Sequence, residues 1–345
     1  MPAADPQTVG NLGESGLLAR ILPRLQGASA LLGPGDDAAL IAAPGGKFVI
    51  TVDTLVENQD FRLDWPSGFR SSGFDVGWKS AAQNLSDVNA MGAIATSAVI
   101  SLTLPHSTPI AWVEDLADGF SAAVRELGAT SCAVAGGDLG RGSEVSITAA
   151  VTGSLAADHP VLRSGARPGD VVAVCGSLGV AAAGLALLDA PISHLEWSAD
   201  EQLLVHGQRR PQPPLEAGPL AARAGATAMM DLSDGLLKDG RRMATASGVV
   251  IDFDARALLA DAQRLSSAAA RLRTVPMEWV LGGGEDHGLL TTFPNAVELP
   301  EGFRAVGVVK EPGGGKTGSG VLLDGRIPGT AQGFDHFEGW DGTAD

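Results

Sequence analysis

The chain has 345 residues, of which 45% are hydrophobic and 19% are charged, and its formal net charge is −16. This composition is typical of a globular protein and excludes a largely disordered one. The excess of acids leaves no basic stripe for a nucleic-acid backbone, so we expect no nucleic-acid partner. No apolar run approaches the ~18 residues of a membrane span, and residues 1–16 lack the pattern of a secretion signal. We therefore expect a cytoplasmic protein with no membrane partner.

The first half of the chain predicts an α/β unit. Residues 47–56 are rich in β-branched side chains and are typical of a buried strand. Apolar residues recur every three or four positions over 74–91 and 112–127, which predicts two amphipathic helices. Strands are predicted at 131–135, running into Gly136-Gly137-Asp138, and at 145–152.

The second half predicts strands that alternate with helices. A polar segment punctuated by Pro and Gly at 159–170 places a domain boundary near its start, so we expect domains at 1–155 and 156–345. Strands are expected at 171–174, 226–230, 249–253, 288–292 and 304–309. Helices are expected at 180–188, 235–246 and 256–272. Alternation in both halves indicates an α/β or α+β fold, and the length favours two domains over a single core.

Aspartates recur beside Gly or Ser at the ends of apolar runs in both halves. They stand in Gly-Asp-Asp at 35–37, Val-Asp-Thr at 52–54, Leu-Ser-Asp at 85–87, Gly-Gly-Asp at 136–138, Asp-Leu-Ser-Asp-Gly at 231–235 and Gly-Gly-Gly-Glu-Asp at 282–286. Carboxylates are costly to leave unpaired where strands give way to loops, and they suit hard cations. The spread of the clusters predicts a shared multi-metal site. Because the histidines show no zinc spacing, magnesium or manganese is favoured.

Each cluster taken alone also has a structural interpretation. Asp36 and Asp37 suit a turn, and Asp87 suits the exposed face of a helix. Ser233-Asp234-Gly235 suits an N-cap and, equally, an anion site at a helix N-terminus, while Glu285-Asp286 stays ambiguous. Asp53 is harder to explain structurally, because a strand interior disfavours an unpaired acid.

Two other features favour structural interpretations. Residues 313–318 (GGGKTG) resemble a phosphate-binding loop, but the position that needs its first glycine is Lys310, and a strand is predicted at 321–324 where a helix should follow. A hairpin loop is therefore favoured. Cys132 and Cys175 lie in apolar stretches and are expected to be buried, reduced thiols.

Taken in order, the segments resemble the thiamine-monophosphate kinase family of the aminoimidazole ribonucleotide synthetase-like superfamily. The matching segments are GDDAAL (35–40), TVDTLV (51–56), NLSDVNAMGA (84–93), AGGDLGRG (135–142), LRSGARPGD (162–170), DLSDGL (231–236), GGGEDHGL (282–289) and GFDHF (333–337). The resemblance implies ATP-dependent phosphorylation of thiamine monophosphate to thiamine diphosphate with magnesium. It also implies a homodimer of two-domain chains. Each chain would have an N-terminal α/β domain that dimerises and a C-terminal α/β domain, with the active site in the cleft between them.

The resemblance further implies roles for individual residues. The magnesium ligands would be Asp37, Thr51, the Val52 carbonyl, Asp53, Asp87, Asp138, Asp231 and Asp234. ATP would contact Gly137, Asp138, Arg163 and Ser233, and the acceptor would contact Asp60, Glu285 and Phe334. No residue is assigned as a general base, because the acceptor phosphate is already largely ionised near neutral pH.

One departure from the family pattern concerns Asp60, which stands where the family commonly has His. An aspartate there would either pair with the cationic thiazolium ring or mark a shifted substrate preference. Two alternative functions stay open: another ATP-using member of the superfamily, such as a hydrogenase-maturation protein, and a non-catalytic nucleotide- or metal-binding relative. Selenophosphate synthetase is disfavoured, because no Cys-and-Lys segment precedes Asp36.

Overall fold

The computed structural model describes residues 20–24, 30–32, 40–41, 47–312 and 319–329. The strands of these ranges are β1 (Ala30–Leu32), β2 (Leu40–Ile41), β3 (Val49–Val56), β4 (Ala93–Leu104), β5 (Ala133–Arg141), β6 (Ser146–Leu155), β7 (Val171–Cys175), β8 (Ala228–Asp231), β9 (Val250–Phe253), β10 (Leu289–Phe293), β11 (Phe303–Lys310) and β12 (Gly320–Leu323). The α-helices are α1 (Gly73–Ala90), α2 (Ile110–Glu126), α3 (Val180–Asp189), α4 (Ala199–Arg209), α5 (Ala217–Arg223), α6 (Leu236–Ser247), α7 (Leu259–Arg264), α8 (Ser266–Leu272) and α9 (Pro276–Gly282). Short 3₁₀ turns lie at Leu22–Arg24, His194–Glu196 and Ala255–Leu258. None of the described helices is long and apolar enough to cross a membrane.

The first half is built on a four-stranded sheet in the order β3-β6-β4-β5. Strand β6 pairs antiparallel with both neighbours, and β4 pairs parallel with β5. Helices α1 and α2 cover one face, where Leu55, Leu85, Phe120 and Ile147 are buried in a common core. The two helices approach so closely that a Cβ at Gly77 would lie 2.0 Å from the Leu116 carbonyl oxygen. Only glycine permits this contact.

Strand β3 is not the buried strand that its composition predicts. Its residues alternate between the two faces, with Leu55 buried against the helices and Ile50 and Val52 exposed to 67% and 60% on the other face. The prediction was wrong because β-branched residues on both faces do not tell which face a neighbouring element covers. In the described chain, helices cover one face of this sheet and leave the other open.

The second half is built on a six-stranded mixed sheet in the order β12-β9-β11-β7-β10-β8. Strand β7 lies inside the sheet and pairs antiparallel with β10 and β11, and β12 runs parallel to β9. Helices α3 and α6 pack on this sheet and bury Leu187, Leu236 and Phe253. The two sheets confirm the predicted α/β, two-domain character, while the exact boundary at residue 155 stays a prediction.

Several elements differ from those expected. The helix predicted over 256–272 is split into a 3₁₀ turn, α7 and α8, because the Ser266 hydroxyl bonds the Gln263 carbonyl at 2.7 Å and competes with the helical ladder. Strand β5 does not end before Gly136 but continues along β4 to Arg141, so Asp138 lies within a strand. Strand β4 and helices α4, α5 and α9 were not predicted.

Helix α1 joins the two halves along its whole length. Near its start, the Asp75 carboxylate accepts hydrogen bonds from Arg209 and Arg210 at 2.6–2.8 Å. In its middle, the Trp78 indole donates to the Pro211 carbonyl. Near its end, the Asn89 amide bonds Gly218 and Pro214. Helix α1 thereby lies along the junction between the two halves, which is called the cleft below.

Candidate active site

Acids from β3 and α1 meet at this cleft. The Thr51 hydroxyl donates to Asp87 Oδ2 at 2.6 Å, and the carboxyl groups of Asp53 and Asp87 lie within hydrogen-bonding reach of each other. The fully buried Asn84 amide accepts a hydrogen bond from the Asp53 backbone N–H at 3.0 Å and so joins the helix to the strand. The structure therefore brings together Thr51, Asp53 and Asp87, as the resemblance implies.

The charge balance of this cluster favours a cation. Burial, together with the charges of Asp231 and Asp53, raises the pKa of Asp87 to about 7. Burial also raises the pKa of Asp53, although hydrogen bonding to Asp87 and the charge of His287 oppose the shift. Carboxyl groups that repel one another in this way would be stabilised by a shared divalent ion.

The second half contributes Asp231, which is buried at the end of β8. Its carboxylate faces the buried imidazole of His287, with Oδ2 and Nδ1 3.5 Å apart. Burial alone would lower the pKa of His287, but Asp231, Glu285 and Asp87 outweigh it and raise the pKa. The Ser86 hydroxyl of α1 donates to the His287 carbonyl at 3.2 Å, which holds this segment against the helix. No motif assigned a role to His287; its only signal was its place in GGGEDHGL.

The turn before α6 differs from the predicted side-chain cap. The N-cap residue is Gly235, and no side chain of Ser233 caps the helix. Instead, the Asp239 carboxylate accepts the backbone N–H groups of Asp234 and Gly235 at 2.9 and 3.1 Å. The Asp234 carboxylate pairs with Arg242 at 2.5 Å. Two N–H groups that an incoming anion would use are therefore already bonded within the chain.

A buried lysine links the residues predicted to meet the acceptor. Lys79 of α1 places its ammonium 2.6 Å from Glu285 Oε1 and 2.8 Å from the Asp60 carbonyl oxygen. The Asp60 carboxylate itself accepts the Val56 backbone N–H at 2.7 Å, so it closes the turn after β3. Sequence reasoning missed Lys79, because a single lysine on a predicted helix has no motif.

Asp286 has a structural role. Its buried carboxylate accepts the Ser177 hydroxyl and the N–H groups of Gly179 and Ala181 at the start of α3. Burial raises the pKa of Asp286 to about 6, although these hydrogen bonds act to lower it. The two acids of this pair thus have different partners: Glu285 pairs with Lys79, and Asp286 caps a helix.

Other predicted residues lie apart from the acid cluster or outside the described residues. Gly137 and Asp138 are exposed on β5, the sheet edge opposite β3, about 14 Å away at three strand spacings. Arg163 is exposed on the loop before β7, and the Val52 side chain lies on the open face of β3, which leaves only its backbone near the cluster. Asp37, Phe334 and the loop at 313–318 lie outside the described residues.

The donors of the cluster match a hard cation in type. Across the described ranges, no group of three or more His, Cys, Asp or Glu side chains is arranged so that it could hold a metal ion by itself. The carboxyl groups of Asp53, Asp87 and Asp231, which repel one another, and the Thr51 hydroxyl nevertheless carry the type of oxygen ligand that magnesium prefers. Their chemistry fits such an ion, with further ligands still to be supplied.

Comparisons with known proteins show the family to which the chain belongs. Family models of the AIR synthase related protein match the N-terminal domain at residues 35–155 and the C-terminal domain at 167–310. The thiamine-monophosphate kinase of Mycobacterium tuberculosis (strain H37Rv) is 44% identical over 311 residues, covering 89% of this chain and 88% of the relative. That of Bacillus subtilis (strain 168) is 32% identical and covers 94% and 99%.

Solved structures show the same similarity. The thiamine-monophosphate kinase of Stenotrophomonas maltophilia K279a aligns with a TM-score of 0.74 at 32% identity, covering 90% of this chain and 96% of that one. A structure described as AaThiL complexed with AMPPCP and TMP aligns with a TM-score of 0.73 at 31% identity, covering 96% and 99%. Hydrogenase maturation protein HypE shares the fold alone, at 18% identity and a TM-score of 0.59. The chain therefore belongs to the thiamine-monophosphate kinase family.

Proposed function

We propose that the protein transfers the γ-phosphoryl group of ATP to thiamine monophosphate and forms thiamine diphosphate. The observation that carries the proposal is the cluster of Asp53, Asp87 and Asp231, which joins both halves of the chain at the cleft. It occurs in a chain that is 44% identical to a thiamine-monophosphate kinase over most of its length. A related structure named as a complex with AMPPCP and TMP supports both substrates.

The chemistry explains a site made of acids without an evident base. The nucleophile would be an acceptor phosphate oxygen, which is largely ionised at neutral pH because its second pKa is about 6. The main barrier is to bring two polyanions together on a protein whose net charge is −16. Bound magnesium would supply the positive charge that offsets both polyanions. The chain's own residues would hold that charge and align the two phosphates.

We propose the following roles for the residues of the cleft. Asp53, Asp87 and Asp231, with Thr51 and the Val52 carbonyl, would hold magnesium, and Asp37 and Asp234 would complete the set. The buried His287 would keep the Asp231 carboxylate in place from behind. ATP would contact Ser233, Arg163, Gly137 and Asp138, and the acceptor would contact Glu285, the Asp60 turn and Phe334.

A homodimer that works in the cytoplasm is part of the proposal. The open face of the four-stranded sheet carries exposed apolar side chains from β3, β4 and the residue just before β3: Phe48, Ile50, Val52, Ile94 and Val99. An apolar sheet face of this kind is costly in water and is typical of a surface covered by a partner. A second copy that lays the same face on the first would bury both. The two buried, unpaired cysteines suit a reducing compartment.

The dimer would also explain how Asp138 reaches the acid cluster. Among the described strands, β3 and β5 are the two edges of this sheet, and each pairs with a neighbour on one side only. If β3 of one copy lies beside β5 of the other, the second copy brings its Asp138 next to the first copy's Asp53. Each active site would then contain residues of both copies.

The activity is tested by measuring ADP release from Mg-ATP with thiamine monophosphate, with thiamine, or without an acceptor. We expect turnover that depends on thiamine monophosphate and on magnesium, with thiamine diphosphate as the product. Equal turnover without an acceptor, or a preference for free thiamine, would refute the proposal.

A further inference from the structure

A buried ammonium group lies where three segments of the cleft meet. The Lys79 side chain is only 3% exposed, although lysine is among the residues least often buried. Its ammonium bonds Glu285 Oε1 of the second half at 2.6 Å and the carbonyl oxygen of Asp60 after β3 at 2.8 Å. Lys79 thus ties α1, the turn at Asp60 and the segment before β10 to one point.

The position of this ion pair is unusual for a purely structural contact. Taking an ammonium and a carboxylate out of water costs several kcal/mol per ion, and apolar side chains of similar volume often stabilise a fold as well or better. The Glu285 side chain is 30% exposed, so part of it stays accessible to a ligand beside the buried Lys79. Among the described residues, Lys79 is its ion-pair partner, and it contacts Oε1.

The backbone that carries Glu285 is held in a costly conformation. Glu285 and His287 have φ angles of 67° and 53°, which are uncommon for residues with a side chain. Hydrogen bonds from their N–H groups to the carbonyls of Ser233 and Leu232, at 2.8 and 2.9 Å, hold the segment in place. Strained residues that cluster beside a site indicate that the fold fixes their side chains for function.

We propose that Lys79 is a positioning residue for the acceptor: its ammonium orients the Glu285 carboxylate at the cleft so that this carboxylate receives the positively charged part of thiamine monophosphate. The proposal rests on the proposed function, in which Glu285 meets the acceptor. Lys79 acts through Glu285 and through the Asp60 turn.

The test is a double-mutant cycle on the full-length protein with Lys79→Met, Glu285→Gln and both changes together. Each single change is expected to raise the KM for thiamine monophosphate about tenfold or more, since a hydrogen bond to a charged group contributes that much. The KM for ATP should stay within about threefold of the wild-type value. Because the two residues act as one unit, the double variant should be no worse than the poorer single variant.

Arg271→Met is the matched control. Arg271 also bonds a buried carboxylate, that of Glu201 at 2.7 Å, and a backbone carbonyl, that of Glu196 at 3.0 Å, but it joins α8 to α4 away from the cleft. Both cation changes should lower the urea midpoint of unfolding, whereas only Lys79→Met should raise the KM for thiamine monophosphate. Lys79→Arg, which keeps the charge, should recover part of the lost affinity.

The proposal is overturned if Lys79→Met lowers stability but leaves the KM for thiamine monophosphate unchanged, or if the effects of the two single changes simply add. Calorimetric titration of the same variants with thiamine monophosphate alone separates this outcome from a failure of the kinase activity. A wild-type protein that binds thiamine monophosphate without turning it over would refute the activity only. The dissociation constants would then show the role of Lys79.

Discussion

Neighbouring acids of this chain have different roles, and their surroundings separate them. Asp53 and Asp87 face each other across β3 and α1, and no Lys or Arg of the described residues forms an ion pair with either. Asp286, one residue from Glu285, is saturated by hydrogen bonds at the start of α3. A buried carboxylate that accepts several hydrogen bonds from the chain stabilises the fold. A buried carboxyl group whose pKa is raised by neighbouring acids is available to a ligand.

The change Asp53→Asn tests this distinction. It should lower kcat/KM at least about 100-fold, because in the proposed site it removes a charge that would hold magnesium against the transferring phosphoryl group. The melting temperature should stay equal to that of the wild type or rise, since repulsion with Asp87 and Asp231 is relieved. Coupled measurement of ADP release and thermal unfolding checks both. Near-normal turnover would show that the strand acid is structural.

Asp60, which stands where the family commonly has His, stabilises the turn after β3. Its carboxylate accepts the Val56 N–H at 2.7 Å, and its carbonyl accepts a hydrogen bond from Lys79. Asp60 therefore supports the turn that leads out of β3, in addition to any direct contact with the acceptor. For Asp60→His we expect a lower KM for thiamine monophosphate if the side chain meets the acceptor, measured by steady-state kinetics beside Asp60→Asn, which keeps an acceptor oxygen for Val56. An unchanged KM in both variants would place the side chain outside the site.

At the scale of elements, α1 is the helix on which the site depends. Its first turn carries a capping box in which Ser72 and Asp75 bond each other's backbone N–H groups. Burial alone would raise the pKa of Asp75, but hydrogen bonds and charges from Arg209, with Ser72 and Arg210, outweigh it and lower the pKa. The same carboxylate thus caps the helix and fixes it to the second half. The helix continues from this anchored end to the cleft acids.

Asp75→Asn should therefore loosen the contact between the halves. Removing one partner of a buried ion pair costs about 3 kcal/mol of unfolding free energy. Because the folded pKa lies below the unfolded value of 3.8, the stabilisation is present above pH 3.8 and is lost as the pH falls through the folded pKa. Urea unfolding at pH 7 should show the full difference from the wild type, and the difference should shrink under strongly acidic conditions. A difference that is constant with pH would contradict the role of the charge.

At the scale of the whole molecule, the order β3-β6-β4-β5 separates residues that the proposed reaction needs together. Asp53 lies on one edge strand and Asp138 on the other, and the face between them is apolar and open. A closed barrel made from two such sheets would cover the face and pair the edges, which removes the aggregation hazard of an exposed edge.

Mixing two inactive variants tests the shared site. Asp53→Asn and Asp138→Asn should each be inactive alone. In a mixed dimer, one site would carry both changes and the other would carry neither, so random mixing should restore about one quarter of the wild-type activity if the subunits behave as independent sites. Activity is measured by ADP release after the two proteins are unfolded and refolded together. A mixture that stays inactive would mean that Asp138 acts within its own chain.

The proposal that the open sheet face forms the dimer interface can be tested with Val99→Lys on β4. This change should shift the mass measured by sedimentation velocity from that of a dimer to that of a monomer. A buried lysine at the centre of an apolar interface is costly. The control is Leu203→Lys on α4, where the wild-type side chain is 68% exposed and lies outside the sheet. This variant should sediment with the same mass as the wild type. A wild-type protein that sediments as a monomer would refute the dimer.

Local sequence was sufficient to determine much of this protein. Helical periodicity predicted α1 and α2 to within a few residues, and alternating elements predicted the α/β class, because these signals depend on neighbours in the chain. The acid clusters beside Gly and Ser predicted the kind of ligand and, with their order, the family. The break at Ser266 was missed, since a side-chain hydrogen bond to the helix backbone leaves little trace in an apolar pattern.

Only the tertiary structure decided which residues share a site. It joined Lys79 to Glu285 and His287 to Asp231, although no motif connects either pair, because the two members of each pair come from segments far apart in the chain. It also placed Asp53 and Asp138 on opposite edges of one sheet. Strand order and burial depend on long-range pairing, which the periodicity of a single segment cannot encode. Sequence thus determined the chemistry of the acids, and the packing of α1 between two sheets determined their partners.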